Sequence, residues 1–336
     1  MVLAKKSDGS LRFCVDYRQL NQLTVKDSWP LPRIDACFDA LGRATFLSTA
    51  DLRFGFWQTA MDPQDADKTA FVTRKVLYRF KVLSFGLANA PSMFQRIMDL
   101  VLAGLTWECC LVFVDDILVF SSTFDEHVER LGRVFDRLSA AGLKLKPSKC
   151  QLFQKRVSFL GHVVSGKGIE PDPAKVSAVT EWPVPRSVTE VRSFVGLASY
   201  YRCFLANFSE IAGPLLNLTK KGVPFVWDER CQTAFDRLKL GLVSAPVLAL
   251  PLDGGGYVID ADCAGSAAGA VLQQWQSGQL RVIAYASRAL SAAERNYCVT
   301  RKEQLAIVYG LKQFRPYVLE NVKKTVVFIK TCKAHN

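Results

Sequence analysis

Two adjacent aspartates, Asp115 and Asp116, interrupt an otherwise apolar run, CCLVFVDDILVF, that extends from Cys109 to Phe120. No other feature of the chain restricts its fold so tightly. A carboxylate taken out of water costs several kcal/mol unless charge or hydrogen bonds compensate, so two in succession need a reason. The flanking runs CCLVFV and ILVFS predict two strands that meet at the aspartates. A plain hairpin turn is one explanation, but such turns favour Asn-Gly or Asp-Gly, and no glycine follows here. A pair of carboxylates that binds cations is the other.

Composition narrows the choice of partner. The 336 residues are 49% hydrophobic and 22% charged, a globular balance with length for two or three domains. Lys and Arg number 43 against 31 Asp and Glu, a net charge of +12, which suggests a polyanionic partner such as nucleic acid. Ten cysteines without a C-x-x-C pair are too sparse for a disulfide scaffold, and three scattered histidines build no zinc site. Reduced, mostly buried thiols point to an intracellular protein. The start, MVLAKKSDGSLRF, lacks the apolar core of a signal peptide, and no stretch reaches the roughly 20 apolar residues of a membrane span.

Three regions follow from the patterning. Residues 1–165 alternate strand-like runs with helices. ATFLSTADL (Ala44–Leu52) predicts a strand, and APSMFQRIMDLVLAGL (Ala90–Leu105) predicts a helix with Pro91 in its first turn. Phe124–Leu143 carries Val128, Leu131, Val134, Phe135 and Leu138 at helical spacing and ends at Gly142. Residues 166–248 are proline-punctuated and mainly helical, with Ser187 and Glu190 in capping-box spacing. Residues 249–336 predict strands at YVIDAD, GAVLQQW and LRVIAYAS, a long helix over Ala292–Val318, and a last strand, KTVVFIKT.

A third carboxylate bears on the aspartate pair. Asp51 ends the STAD strand, and a shared antiparallel sheet would set it beside the Asp115–Asp116 tip. Carboxylates grouped in this way bind two Mg²⁺ ions that activate an attacking 3′-oxygen and steady a leaving pyrophosphate.

At this point the chain resembles the reverse transcriptase of gypsy-type LTR retrotransposons. DGSLRFCVDYRQLN, STADLRFGFWQ, FGLANAPSMFQ, FVDDILVFS, LKLKPSKCQLF and FLGHVVS follow one another in the family's order, and the likeness continues nearly to the chain's end. It implies an α+β fold: right-hand polymerase fingers and palm, a helical thumb, then a truncated ribonuclease H-like α/β domain. It also implies an RNA-directed DNA polymerase with two Mg²⁺ or Mn²⁺ ions, an RNA template, a DNA or RNA primer–template duplex, dNTPs, and no membrane.

The resemblance carries roles onto individual residues. Asp51, Asp115 and Asp116 match the catalytic metal ligands, with Phe113 in place of the family's usual tyrosine. Phe56 matches the aromatic gate that leaves no room for a 2′-hydroxyl. Lys6 and Arg12 match the clamp on the triphosphate, for which a planar guanidinium is well shaped. Phe85 and Gly86 open the segment against the nucleotide and template. Lys149 matches the general acid for pyrophosphate. Gly161 and His162 fall in the primer grip, whereas Trp182, Tyr200, Tyr201 and Trp227 are read as packing residues.

The third region resembles a ribonuclease H domain that has lost ligands. Asp262 and Glu303 match two of its carboxylates; Asp260 is nearby but out of register. Cys332 stands where the family has a third aspartate, and Ala264 and Ala267 replace a serine and a glycine. The family's fingers begin earlier than Met1 and its nuclease domain runs on further, so one segment of a polyprotein is expected. An active polymerase with a silent nuclease-like domain is the main expectation. A silent retroelement relic that binds nucleic acid through its basic surface is the alternative.

Overall fold

The computed structural model describes residues 2–5, 9, 11–254, 256–319 and 327–331. The chain divides into two compact units, Met1–Leu160 and Gly161–Asn336.

The first unit opens with an antiparallel hairpin, β1 (Val2–Lys5) and β2 (Leu11–Cys14). Its centre is a four-stranded antiparallel sheet of β3 (Phe46–Asp51), β4 (Cys110–Phe113), β5 (Asp116–Ser121) and β6 (Gln151–Gln154), in the spatial order β4-β5-β3-β6. Ile117, Leu118 and Val119 are all fully buried, so β5 has protein on both faces, as its unbroken apolar run requires. Helix α1 (Ala90–Val101) and helix α2 (Phe124–Ala140) supply Phe94, Met98, Leu131, Val134 and Leu138 to the core around the sheet.

Local chemistry sets the helix limits. Thr123 caps α2 by accepting the Glu126 N–H, and the Glu126 carboxylate accepts the Ser122 N–H in return. Gly142, with φ +70°, takes the left-handed residue past the helix end. Helix α1 stops at Val101, four residues short of the expected end. The chain turns there so that Leu102 and Leu105 face the core, and Gly104 and Trp107 take left-handed φ of 76° and 74°.

The second unit begins with the hairpin β7 (His162–Ser165) and β8 (Gly168–Pro171). A helical stretch follows, including α3 (Val188–Tyr200) and α4 (Glu229–Val243), joined by Phe194 against Phe235 at 4.5 Å. Ser187 caps α3 as expected, but Glu190 accepts the N–H of Arg186 at 2.7 Å, one residue before the cap. Trp182 and Trp227 lie edge-on against Phe194 and Phe235, in packing positions.

The unit ends in a mixed sheet of β9 (Tyr257–Ala264), β10 (Ala267–Gln276), β11 (Gln279–Ala289) and β12 (Val327–Thr331), ordered β11-β10-β9-β12, with β9 and β12 parallel. Helix α5 (Val299–Gln313) packs on it through Gly310, where a Cβ would sit 3.1 Å from Ala270 and Ile259. The single helix expected over Ala292–Val318 is instead three pieces, Ala292–Arg295, α5 and Arg315–Leu319. Pro316 has no N–H to extend the ladder of α5, so the chain restarts with proline in a new first turn. No helix of the described residues is long and apolar enough to cross a membrane.

Candidate active site

Phe113 and Asp116 face each other across the β4–β5 hairpin, leaving Val114 and Asp115 as a two-residue turn. Val114 has φ 54°, an unfavourable left-handed conformation for a β-branched residue. Gln95, fully buried on α1, holds it there. Its Oε1 accepts the Val114 N–H at 2.7 Å, and its Nε2 donates to Asp99 Oδ1 at 2.9 Å and to the Val112 carbonyl at 3.3 Å. The aspartate pair is therefore a hairpin turn as well as a pair of carboxylates, with the left-handed φ supplied under constraint by a valine.

Antiparallel pairing of β3 with β5 puts Asp51 directly opposite Asp116. Lys149, at the end of a short 3₁₀ turn, reaches Asp51 Oδ2 with its Nζ at 2.7 Å. A cavity of about 320 Å³ lies over these residues, bordered by Gln151 and Ser158. Partial burial, reinforced by the Asp51 carboxylate, pushes the Asp116 carboxyl above the usual aspartate range, and Lys149 pulls it partly back. The outer edge of Asp116 remains in solvent, so its desolvation is incomplete.

Asp115 is placed by a glycine. Its carboxylate lies so close to Gly55 (φ 40°) that any Cβ there would collide with it. Gly55 opens the 3₁₀ turn Gly55–Gln58, which also carries Phe56. Phe56 is only 8% exposed, wedged between Phe85 at 5.1 Å and Phe94 at 5.4 Å, and so belongs to the core edge. Gly86, φ 96°, is held by Asn21, whose Nδ2 donates to the Gly86 carbonyl at 2.8 Å.

Gln58 was not singled out by sequence motif. Its Nε2 donates to the carbonyls of Arg53 and Lys144 at 2.7 and 3.0 Å, and its Oε1 accepts the Lys144 N–H at 2.7 Å. With Lys146 N–H on the Asp51 carbonyl at 2.9 Å, it ties the segment leading to Lys149 to the end of β3. Nothing in the letters FWQ signals this, because the clamp joins residues distant in the chain.

The remaining sequence-derived residues are placed unevenly. Arg12 is on β2, and Lys6 lies outside the described residues. Gly161 has φ 69° and its carbonyl accepts the Tyr201 hydroxyl at 2.8 Å. His162 is 3% exposed, boxed by Tyr200, Tyr201 and Phe204, so its ring packs inside the unit. Tyr201 is buried as expected, whereas Tyr200 is 41% exposed. Asp262, on β9, is exposed and accepts the N–H of Cys263 at 2.8 Å; Glu303 is half-buried on α5. Cys332 lies outside the described residues. The nine described cysteines are free thiols.

The donor set at the first-unit site fits a hard divalent cation: carboxylate oxygens only, one pair directly cross-strand, and a third carboxylate seated where a side chain at position 55 would exclude it. Among the described residues, no three Asp, Glu, His or Cys side chains already converge on one point, and Lys149 engages Asp51.

A sheet that carries acidic side chains on the facing ends of adjacent strands, in a unit followed by a β-sheet domain with parallel first and last strands, defines a right-hand polymerase joined to a ribonuclease H-like domain. The comparisons with known proteins agree. Residues 4–164 match the family of reverse transcriptases (RNA-dependent DNA polymerases), and residues 227–327 match the RNase H-like domain found in reverse transcriptase. The chain belongs to the reverse transcriptase family, in its gypsy-type retrotransposon branch. It is 40% identical over 323 residues to the retrovirus-related Pol polyprotein from transposon 297 of Drosophila melanogaster, covering 95% of this chain and 30% of that one. The Pol polyprotein of transposon gypsy, also from Drosophila melanogaster, is 37% identical, with 91% and 30% covered. The Tf2-3 polyprotein of Schizosaccharomyces pombe is 31% identical, with 96% and 24% covered. The chain thus spans about a third or less of the curated relatives it matches. Among solved structures, the foamy viral protease–reverse transcriptase in complex with double-stranded DNA superposes with a TM-score of 0.85 at 25% identity, over 97% of this chain and 57% of that one.

Proposed function

We propose that the chain is an RNA-directed DNA polymerase that extends a primer 3′-hydroxyl with dNTPs on an RNA template. The observation that carries this reading is the direct pairing of Asp51 with Asp116 beside the constrained Asp115 turn. In it Asp51, Asp115 and Asp116 hold two Mg²⁺ or Mn²⁺ ions. Such ions supply Lewis-acid activation of the primer oxygen and neutralise charge on the departing pyrophosphate. Lys149 hands a proton to that pyrophosphate, a role supported by its 54% exposed side chain and its contact with Asp51.

Phe56 presents its small exposed edge to the sugar, and Phe85 and Gly86 line the nucleotide and template side. Lys6 and Arg12 clamp the triphosphate. Gly161 and His162 belong to the primer grip, His162 by packing the turn from within. Residues 1–165 then form fingers and palm, 166–248 the thumb and connection, and 249–336 the nuclease-like domain. The basic surplus and the foamy viral relative solved on double-stranded DNA support a primer–template duplex as the partner. Cys332 in place of an aspartate supports a silent nuclease, because hard Mg²⁺ prefers oxygen to a thiol.

Primer extension by the purified chain on a poly-rA template with Mg²⁺ tests the reading. Extension that falls away without divalent ions is the expected result. A folded chain that binds duplex with steep, log-linear salt dependence yet extends nothing would leave only a nucleic-acid-binding role.

A further inference from the structure

A buried histidine outside the carboxylate site is not used by any step above. His127, on α2, is fully buried, and both of its ring nitrogens are engaged. Its Nε2 lies 2.7 Å from Ser48 Oγ on β3, and its Nδ1 lies 2.8 Å from Ser121 Oγ on β5. The outer partners fix the direction of every proton. Ser121 Oγ donates to the Thr123 carbonyl at 2.9 Å, so it accepts from Nδ1–H. Nε2 is then the bare nitrogen and accepts from the Ser48 hydroxyl. Ser48 Oγ in turn accepts the Phe153 N–H at 2.9 Å.

Phe153 is a special point on β6. The register of β3 against β6 slips between Leu47 and Thr49, and Phe153 has φ 53°. It is the bulged residue of the strand that begins two residues after Lys149, and its N–H falls out of the ladder. Ser48 catches that N–H, and the Phe153 ring closes over His127 at 5.2 Å.

We infer that His127 is a positioning residue for Lys149: as a neutral Nδ1–H imidazole it orients Ser48 to hold the β6 bulge, and so keeps Lys149 in register with Asp51. The inference rests on the polymerase reading only for its effect on rate. A proton on Nε2 would confront the Ser48 hydroxyl with a donor, and Ser48 would have to turn its hydrogen away. Burial and Arg130 hold the imidazole below its ordinary value, opposed by Glu126. Both charged groups lie on α2, while β3, β5 and β6 present Phe46, Ser48, Ser121 and Phe153.

Three variants of the full chain test the inference: His127→Leu, Ser48→Ala and His127→Gln. His127→Leu and Ser48→Ala should lower kcat for primer extension roughly tenfold or more, with little change in the dNTP KM. Ser48→Ala is a small change that keeps the test open if the leucine variant folds poorly. His127→Gln, whose amide oxygen can take the Ser48 hydroxyl without titrating, should recover most of the rate and move the acid limb of the pH profile to lower pH. Wild-type kcat and pH profile in folded Ser48→Ala would overturn the inference and leave the polymerase reading intact. A wild-type chain that extends no primer would overturn the latter, and the inference would then be decided by NMR. An Nδ1–H signal from His127 together with a slowly exchanging Phe153 amide whose protection is lost in Ser48→Ala would support it; a fast-exchanging Phe153 amide in the wild type would refute it.

Discussion

The two units present their acidic residues in opposite ways. In the first, Asp51, Asp115 and Asp116 are delivered by paired strand ends and a two-residue turn, and each has a specific support. Lys149 holds Asp51, the Gln95 amide holds the turn, and the bare Cα of Gly55 leaves room for Asp115. In the second, Asp262 is exposed and spends an oxygen on the adjacent Cys263 N–H, while Glu303 stands on a separate helix. The contrast shows that strand register and a two-residue turn crowd carboxylates against their own repulsion, which isolated positions on a strand and a helix do not. Burial and the facing Asp51 carboxylate together push the Asp116 carboxyl above the usual aspartate range.

The sharpest way to break this comparison is Asp115→Asn. It keeps the volume of the turn and removes a charge, so primer extension should fall on the order of a thousandfold or more with the fold retained. Extension near the wild-type rate in Mg²⁺ would remove the difference between the two units. Next in size is Phe56→Val, which opens space at the sugar while retaining part of the core packing. The efficiency ratio of rNTP to dNTP incorporation should rise by about 100-fold, near the limit that a missing apolar wall can supply against a hydroxyl. An unchanged ratio would make Phe56 purely a core residue, in keeping with its contacts to Phe85 and Phe94.

Asp116→Asn acts in two directions. Activity should be lost, but the metal-free fold should gain about 0.5 kcal/mol at neutral pH, a value kept small by solvent at the carboxylate's edge. The sign follows from the raised carboxyl: its stabilising share is complete below the unfolded aspartate value and is lost as pH rises through the folded one. Thermal melts with chelator at pH 7 and pH 3 would show the variant's advantage only at the higher pH. Equal melts at pH 7 would mean that Asp116 is not crowded. The smallest expected effect lies in the second unit. Labelled RNA–DNA hybrid incubated with the wild-type chain in Mg²⁺ or Mn²⁺ should release no fragments above background, and Asp262→Asn should change nothing. Specific cleavage that disappears in that variant would show that both units carry working sites.

Much of this was legible from the letters. The apolar runs around Asp115 and Asp116 announced two strands, and Ser187 marked a helix start, because period and capping are local properties. The helix expected over Ala292–Val318 broke at points where local signals compete, with Pro316 against an otherwise helical pattern. His162 reads from its motif as a grip residue but sits inside an aromatic box. A buried histidine and an exposed one look alike in a sequence.

By itself, then, the sequence determined the order of most elements, the strands that carry the acidic residues and the family, since each is carried by residue types at short spacing. Only the tertiary structure decided that Asp51 faces Asp116, that a Cβ at Gly55 would collide with the Asp115 carboxylate, that Gln58 ties Arg53 to Lys144, and that His127 meets Ser48. Those facts join residues tens of positions apart. They depend on strand register, where a slip of one residue would turn every side chain to the other face, and register is settled by the packing of the whole sheet.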